Sequence, residues 1–276
     1  MSYRVDFFIV GAQRCGTTFL SSALARLPQV AFSRVKEPFF FTETDDWKAN
    51  LSSYHELFAF EDSAVSGEAS THYTMTPKYR PVFRDIFQYN PDAKIIYLMR
   101  NPVDRAVSLY TYYEGGVPSA NRFEDAFSSD LEYVCAGMYH RQIHPYLDLF
   151  GRDNVRLIVF EDMVDDVSAT LLDTAAFLGV DVASGDFETG RENQSEDNFA
   201  SSSRWIRKLY DVYGRSGVHD LLPSSVVELA KKYLVSTSEK PDVSASLKRR
   251  LSLFFEEDVS AMEDLLGRTL DEWRYR

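Results

Sequence analysis

Residues 7–20 read Phe7-Phe8-Ile9-Val10-Gly11-Ala12-Gln13-Arg14-Cys15-Gly16-Thr17-Thr18-Phe19-Leu20, and this stretch decides the fold. Phe7 to Val10 is a short apolar run, the pattern of a buried strand. Phe19, Leu20, Ala23, Leu24 and Leu27 then recur at helical spacing. Between them stand two glycines five apart. Such a turn lets the backbone wrap an anion, while the following helix directs its free N–H groups and positive dipole end at it. The spacing is that of a Walker-type loop, G-x-x-x-x-G-K-[S/T], with Thr17 where that motif has its lysine. A kinase uses that lysine on the β- and γ-phosphates, so its absence counts against ATP as donor. Arg14 supplies positive charge instead. A plain strand-to-helix turn with a surface arginine would leave the Gly, Gly, Thr, Thr pattern unexplained. Cys15, beside Arg14 at a helix start, has a setting that lowers a thiol pKa. A phosphatase-type nucleophile would need an arginine six residues on, where this chain has Ser21, and a small loop residue without chemistry is the plainer reading.

Working outward, Lys94–Met99 (KIIYLM) and Val155–Phe160 (VRLIVF) repeat the pattern of a strand followed by a helical period. Val103, Ala106, Val107 and Tyr110 follow the first; Leu171, Leu172, Ala175, Ala176 and Leu178 follow the second, with Gly179 as the C-cap. This alternation predicts an α/β, P-loop-like three-layer fold with a central, mainly parallel sheet flanked by helices. One domain spans 1–276. The polar segment Glu188–Ser203 is either a lid or a surface excursion. Leu221–Trp273 is mostly helical by pattern, broken at Lys240-Pro241-Asp242, with Leu247, Leu251, Phe254 and Phe255 as an apolar face.

A second anion signal lies at Arg100-Asn101-Pro102-Val103-Asp104-Arg105-Ala106-Val107-Ser108. Arg100 closes a strand, Asn101 caps, and Pro102 suits the first helical position. Arg100 is thereby expected at the carboxyl edge of the sheet, where open α/β folds place ligands. Together the two segments imply a ligand with two separated phosphates.

Composition narrows the partners. The 276 residues carry 42 acidic against 30 basic side chains, a formal charge of −12, with 45% apolar and 14% aromatic residues. Disorder is excluded. Nucleic acid and anionic membrane surfaces are disfavoured as main partners. Two cysteines make no disulfide framework and fit a reducing compartment. No secretion signal and no membrane-length apolar run occur, so a soluble, cytoplasmic protein is expected. No heptad or apolar stripe announces an oligomer. The acidic clusters Glu161–Asp166 and Glu256–Asp258 read as solvated faces.

The paired motifs GAQRCGTT and RNPVDRAVS resemble the two signatures of sulfotransferases that use 3′-phosphoadenosine 5′-phosphosulfate (PAPS). Lys36-Glu37-Pro38-Phe39-Phe40-Phe41, Gly67-Glu68-Ala69-Ser70, Val159-Phe160-Glu161-Asp162, Phe177-Leu178-Gly179 and the ending Leu266-Gly267 with Trp273 are similar too. The KEPFFF stretch looks closest to the heparan-sulfate type and its bacterial relatives. The resemblance implies PAPS as co-substrate and its bisphosphate as product, with Arg14, Cys15, Gly16, Thr17 and Thr18 around the 5′-phosphosulfate. It implies Arg100 and Ser108 on the 3′-phosphate. Arg14 stands where most members have a lysine on the leaving phosphate, and arginine occurs there in the tyrosylprotein branch.

Glu37 falls on the catalytic base of the glycan-modifying branch, and His72 is a second candidate. A carboxylate beside the transferring group accepts the acceptor's proton. Fixed positive groups stabilise the charge that grows on the departing phosphate. Ala69 stands where that branch often has a lysine. Tyr139 and His140 lie where relatives face the acceptor, or else serve packing, and Phe39-Phe40-Phe41 either lines an acceptor pocket or packs the core. No Cys/His ligand cluster is present, and no metal is expected. The implied activity is sulfonate transfer to a hydroxyl or amine of a small-molecule, glycan or lipid-linked acceptor. A P-loop small-metabolite kinase and a non-catalytic nucleotide-binding protein are the alternatives.

Overall fold

In the computed structural model the described residues are 3–60, 64–114, 132–182 and 243–275. The polar 188–203 segment and the Lys240-Pro241-Asp242 break lie outside them. Strand β1 (Phe7–Gly11) is buried along its whole length and forms the middle of a five-stranded sheet among these residues. The others are β2 (Val30–Phe32), β3 (Val65–Ala69), β4 (Lys94–Met99) and β5 (Val155–Val159), in the order β2-β3-β1-β4-β5. Every pairing is parallel. The three apolar runs of the sequence are β1, β4 and β5. In β1–β4 the register slips between Ile9 and Gly11, where the strand gives way to the loop.

The sequence pattern missed β2 and β3 for visible reasons. Strand β2 has only three residues, and β3 (VSGEA) carries polar side chains where an apolar run was sought. Its polar groups are satisfied locally. The Ser66 hydroxyl donates to Asp6 Oδ2 at 2.8 Å, and the Glu68 carboxylate accepts three hydroxyl hydrogen bonds described below. Gly67 is required because a Cβ there would run into the ring of the buried Phe7.

Helices connect the strands. They are α1 (Thr17–Leu24), α2 (Phe40–Glu43), α3 (Leu51–His55), α4 (Phe83–Tyr89), α5 (Pro102–Glu114), α6 (Glu132–Cys135), α7 (Tyr139–Phe150), α8 (Phe160–Asp165), α9 (Val167–Leu178) and α10 (Ala245–Leu266). Helix α1 packs with α9, and α7 packs on β4 and β5 beneath α4 and α10. Asp166 caps α9 by accepting from the Ala169 N–H at 2.9 Å, and Gly179 ends it at φ +77°. Ser244 caps α10 in the same way through the Leu247 N–H. On α10, Leu247, Leu251 and Phe255 are buried, whereas Phe254 is 52% exposed. The expected four-residue face is thus three: the i, i+4 steps from 247 through 251 to 255 share one side, and Phe254 lies a residue off it. Among the described residues no helix is long and apolar enough to cross a membrane.

Because all five strands run the same way, their carboxyl ends meet at one edge. The loops leaving β2, β3, β1, β4 and β5 carry residues 33–39, 70–74, 12–16, 100–101 and 160–161, and these build the site.

Candidate active site

The loop from Gly11 to Gly16 turns sharply into α1. A Cβ on Gly11 would collide with Thr74 Oγ1, whose hydroxyl donates to the Val10 carbonyl at 2.6 Å. Gly16 precedes the helix at φ +89°, and Arg14 also holds a positive φ of +72°. The loop is therefore pinned between the β3 exit and α8, where a Cβ on Gly16 would lie 2.6 Å from Met163. Thr17 is buried at the helix start and Thr18 is half-buried.

Arg14 reaches across to the second segment. Its Nε donates to Ser108 Oγ at 3.1 Å, and its guanidinium lies 4.9 Å from the Tyr112 ring centre. Burial first, and the nearby positive Arg100 second, push Arg14 down to about 10. Arg100 lies 4.7 Å over the Phe160 ring, with a buried Nε that has no hydrogen-bond partner. Two like charges held close and half out of water are suited to an anion between them. Asn101 caps α5 as expected, its Oδ1 accepting from Val103 at 3.0 Å and Asp104 at 3.3 Å. The structure thus brings Arg14, Arg100 and Ser108 together, Ser108 against Arg14 itself.

Cys15 fits the plainer of its two sequence readings, a small loop residue without an activated thiol. It is wholly buried, and burial pushes its thiol up to about 11 instead of down. Its N–H donates to the Ala12 carbonyl at 3.1 Å, and its sulfur lies 3.7 Å from the Tyr139 hydroxyl. Neither group is turned outward. Tyr139 is likewise wholly buried beneath the loop and accepts the Arg100 N–H at 3.3 Å. His140 donates its N–H to Asp258. Packing describes Tyr139; the half-buried His140 has its ring centre 5.0 Å from that of His144.

Glu37 sits on the turn after β2 at φ +50°, and Phe39 follows at φ +51°. The segment leaving β3 holds that turn. Thr71 donates its hydroxyl to Glu37 Oε2 at 2.9 Å, and Ser70 Oγ accepts the Phe39 N–H at 3.0 Å. Ser70 in turn donates to Glu68 Oε2 at 2.6 Å, while Tyr54 and Tyr73 donate to Glu68 Oε1 at 2.7 and 2.8 Å. Burial raises the Glu68 carboxyl to about 7 against these three hydroxyls, and burial also raises Glu37.

His72 is stacked between Phe39, 3.5 Å away, and Tyr79, 3.7 Å away. Burial and the positive Lys78 lower it to about 4, so it is neutral near pH 7. Its Nδ1 has no hydrogen-bond partner; Glu43 is 3.9 Å off, an ion pair only for a protonated ring. Phe40 and Phe41 enter the core, and Phe39 alone stays at the site edge.

Several site residues were not foreseen. Glu161, read as part of a solvated acidic face, accepts the Asn101 N–H at 3.0 Å and the Trp273 indole N–H at 3.2 Å. Asp258 is buried too, accepting the His140 and Arg141 N–H groups at the start of α7. Both sit in acidic runs, and apart from the Trp273 indole their partners are backbone groups that no side-chain pattern shows. Arg105 is wholly buried under the loop, bonded to the Tyr133 carbonyl, with Nε and Nη1 unpartnered.

Comparison with known proteins identifies the arrangement. The sulfotransferase domain model matches residues 4–215. The membrane-associated sulfotransferase kil1 of Dictyostelium discoideum is 31% identical over 141 residues, 50% of this chain and 28% of that protein. Human heparan sulfate glucosamine 3-O-sulfotransferase 6 is 28% identical over 181 residues, 62% of this chain and 51% of that one. The chain therefore spans only about a quarter to a half of the length of these relatives. The crystal structure of a sulfotransferase from Alicyclobacillus acidocaldarius superposes with a TM-score of 0.65 at 25% identity, covering 99% of both chains. With the fold, the loop and the second arginine segment in agreement with that match, this chain belongs to the sulfotransferase domain family.

Proposed function

We propose that the protein transfers a sulfonate group from PAPS to a hydroxyl or amine on a glycan, glycolipid or small-molecule acceptor, by direct in-line transfer. The observation that carries this reading is the pair of close arginines, Arg14 and Arg100, at the carboxyl edge of the sheet, with a buried Arg100 Nε left unpartnered. The residues fit a nucleotide with two anionic ends. Arg14, Gly16, Thr17 and Thr18 would hold the 5′ end, and Arg100 with Ser108 the 3′-phosphate. When bound, PAPS supplies the activated sulfonate.

The chain's own groups then divide the work. Arg14 stays positive at pH 7 and offsets charge on the departing phosphate. Glu37 takes the acceptor's proton; its raised proton affinity makes it a stronger base, and Thr71 orients its carboxylate. The neutral, stacked His72 has too little proton affinity for that role, so Glu37 is preferred. Thr17 in place of the Walker lysine argues against a kinase. Cys15 and Cys135 are both free, which supports the cytoplasm as the place of action.

Calorimetric titration of adenosine 3′,5′-bisphosphate, with magnesium ATP in parallel, tests the reading. Micromolar or tighter binding of the bisphosphate with little for ATP is the expected result. Binding of magnesium ATP alone would replace it with the kinase reading.

A further inference from the structure

The final residues fold back onto the Arg100 corner. Trp273, 1% exposed, ends a 3-10 turn, Asp271–Trp273. Its indole N–H donates to Glu161 Oε2, and the other oxygen of that carboxylate takes the Asn101 N–H. The Glu272 carbonyl accepts from Asn101 Nδ2 at 3.1 Å, and the Tyr275 hydroxyl donates to Asp104 Oδ1 at 2.9 Å. On its other side the Trp273 ring centre lies 5.7 Å from that of Tyr139, whose hydroxyl takes the Arg100 N–H. Two consecutive backbone N–H groups, those of Arg100 and Asn101, therefore each end on a group that Trp273 touches. Arg274 ties this tail to α10 through both oxygens of Glu263, at 2.5 and 2.7 Å.

The Arg100 side chain has little else to fix it. Its guanidinium rests on one ring, with Nε unpartnered. A long side chain that grips an anion is only as well placed as its backbone, and supporting groups commonly set the affinity of such a contact. Glu161 also attracts Arg100 directly. We infer that Trp273 is a positioning residue for the 3′-phosphate, acting through Glu161 and Tyr139 to hold the Arg100–Asn101 backbone in its anion-gripping place. This rests on the nucleotide assignment made above.

The test is calorimetry with two probes, adenosine 3′,5′-bisphosphate and adenosine 5′-phosphate, which lacks the 3′ group. Trp273→Phe keeps a ring and loses the N–H; Tyr139→Phe loses only the hydroxyl and serves as the second variant should the first fold poorly. Each is expected to weaken the bisphosphate about tenfold and to leave the monophosphate within about twofold. In an Arg100→Ala background, Trp273→Phe adds no further loss. Variants that melt like the parent yet bind the bisphosphate normally, or lose both nucleotides equally, overturn the inference while Arg100→Ala alone loses the bisphosphate. Normal bisphosphate binding by Arg100→Ala instead overturns the 3′-phosphate assignment, and the inference with it.

Discussion

Glu37 occupies a backbone conformation that costs a non-glycine residue roughly 1–3 kcal/mol, and Phe39 two residues on does the same. The cost is tolerated because Ser70 and Thr71 hold the turn by a backbone N–H and by the carboxylate itself. Such fixed strain at a carboxylate is consistent with its use in proton transfer. Replacing Glu37 with Gln preserves shape and removes the base, so turnover should fall by about 10² to 10⁴. Affinity for the bisphosphate, which Glu37 does not hold, should stay within about twofold, and steady-state kinetics beside calorimetry reads both. An unaltered turnover would remove Glu37 from the mechanism. At this scale the sequence was most legible in placement, as for Arg14 in the loop after β1 and Arg100 at the carboxyl end of β4. It was silent on burial: Asp258 reads as part of a solvated acidic run, yet it is buried and accepts the His140 and Arg141 N–H groups.

Among the elements, β1, β4, β5 and the helices after them were legible because each presents an unbroken apolar run or a clear helical period. Strand β3 was not, since its burial is made by hydrogen bonds and by a missing side chain. Gly67 exists to let the Phe7 ring lie across the neighbouring strand. Gly67→Ala should therefore destabilise the protein by about 1–3 kcal/mol, seen as a lowered melting temperature. Shortening the ring with Phe7→Leu in the same chain should recover part of the loss. An unchanged melting temperature for the single variant would refute this packing account.

Across the whole molecule, the buried carboxylates decide how stability follows pH. Glu68 binds its proton more tightly folded than unfolded, with a value near 7 against an ordinary 4.5. Its favourable contribution is therefore complete below about pH 4.5 and is lost as pH rises through 7, on the order of 3 kcal/mol. Glu37, Glu161 and Asp258 are shifted the same way by burial, and the more exposed Glu263, lowered by Arg274, opposes them. Urea unfolding between pH 4.5 and 8 should show declining stability, and Glu68→Gln should flatten that decline. A slope unchanged in the variant would place the effect elsewhere. None of this was legible from a formal charge of −12, because the count treats every carboxylate as ionised at the surface.

The contacts of Trp273 and Glu272 with the Arg100 corner join parts of the chain that are distant in sequence. Glu272, which touches Asn101 from the Asp271–Trp273 turn, lies 171 positions after it and still further from the phosphate loop at 11–16. The nucleotide contacts proposed above all come from residues 14–108, while the Arg100–Asn101 backbone is also braced from Glu161 and from the Glu272–Trp273 turn. Affinity for nucleotide is thus expected to depend on residues far along the chain that the nucleotide never touches.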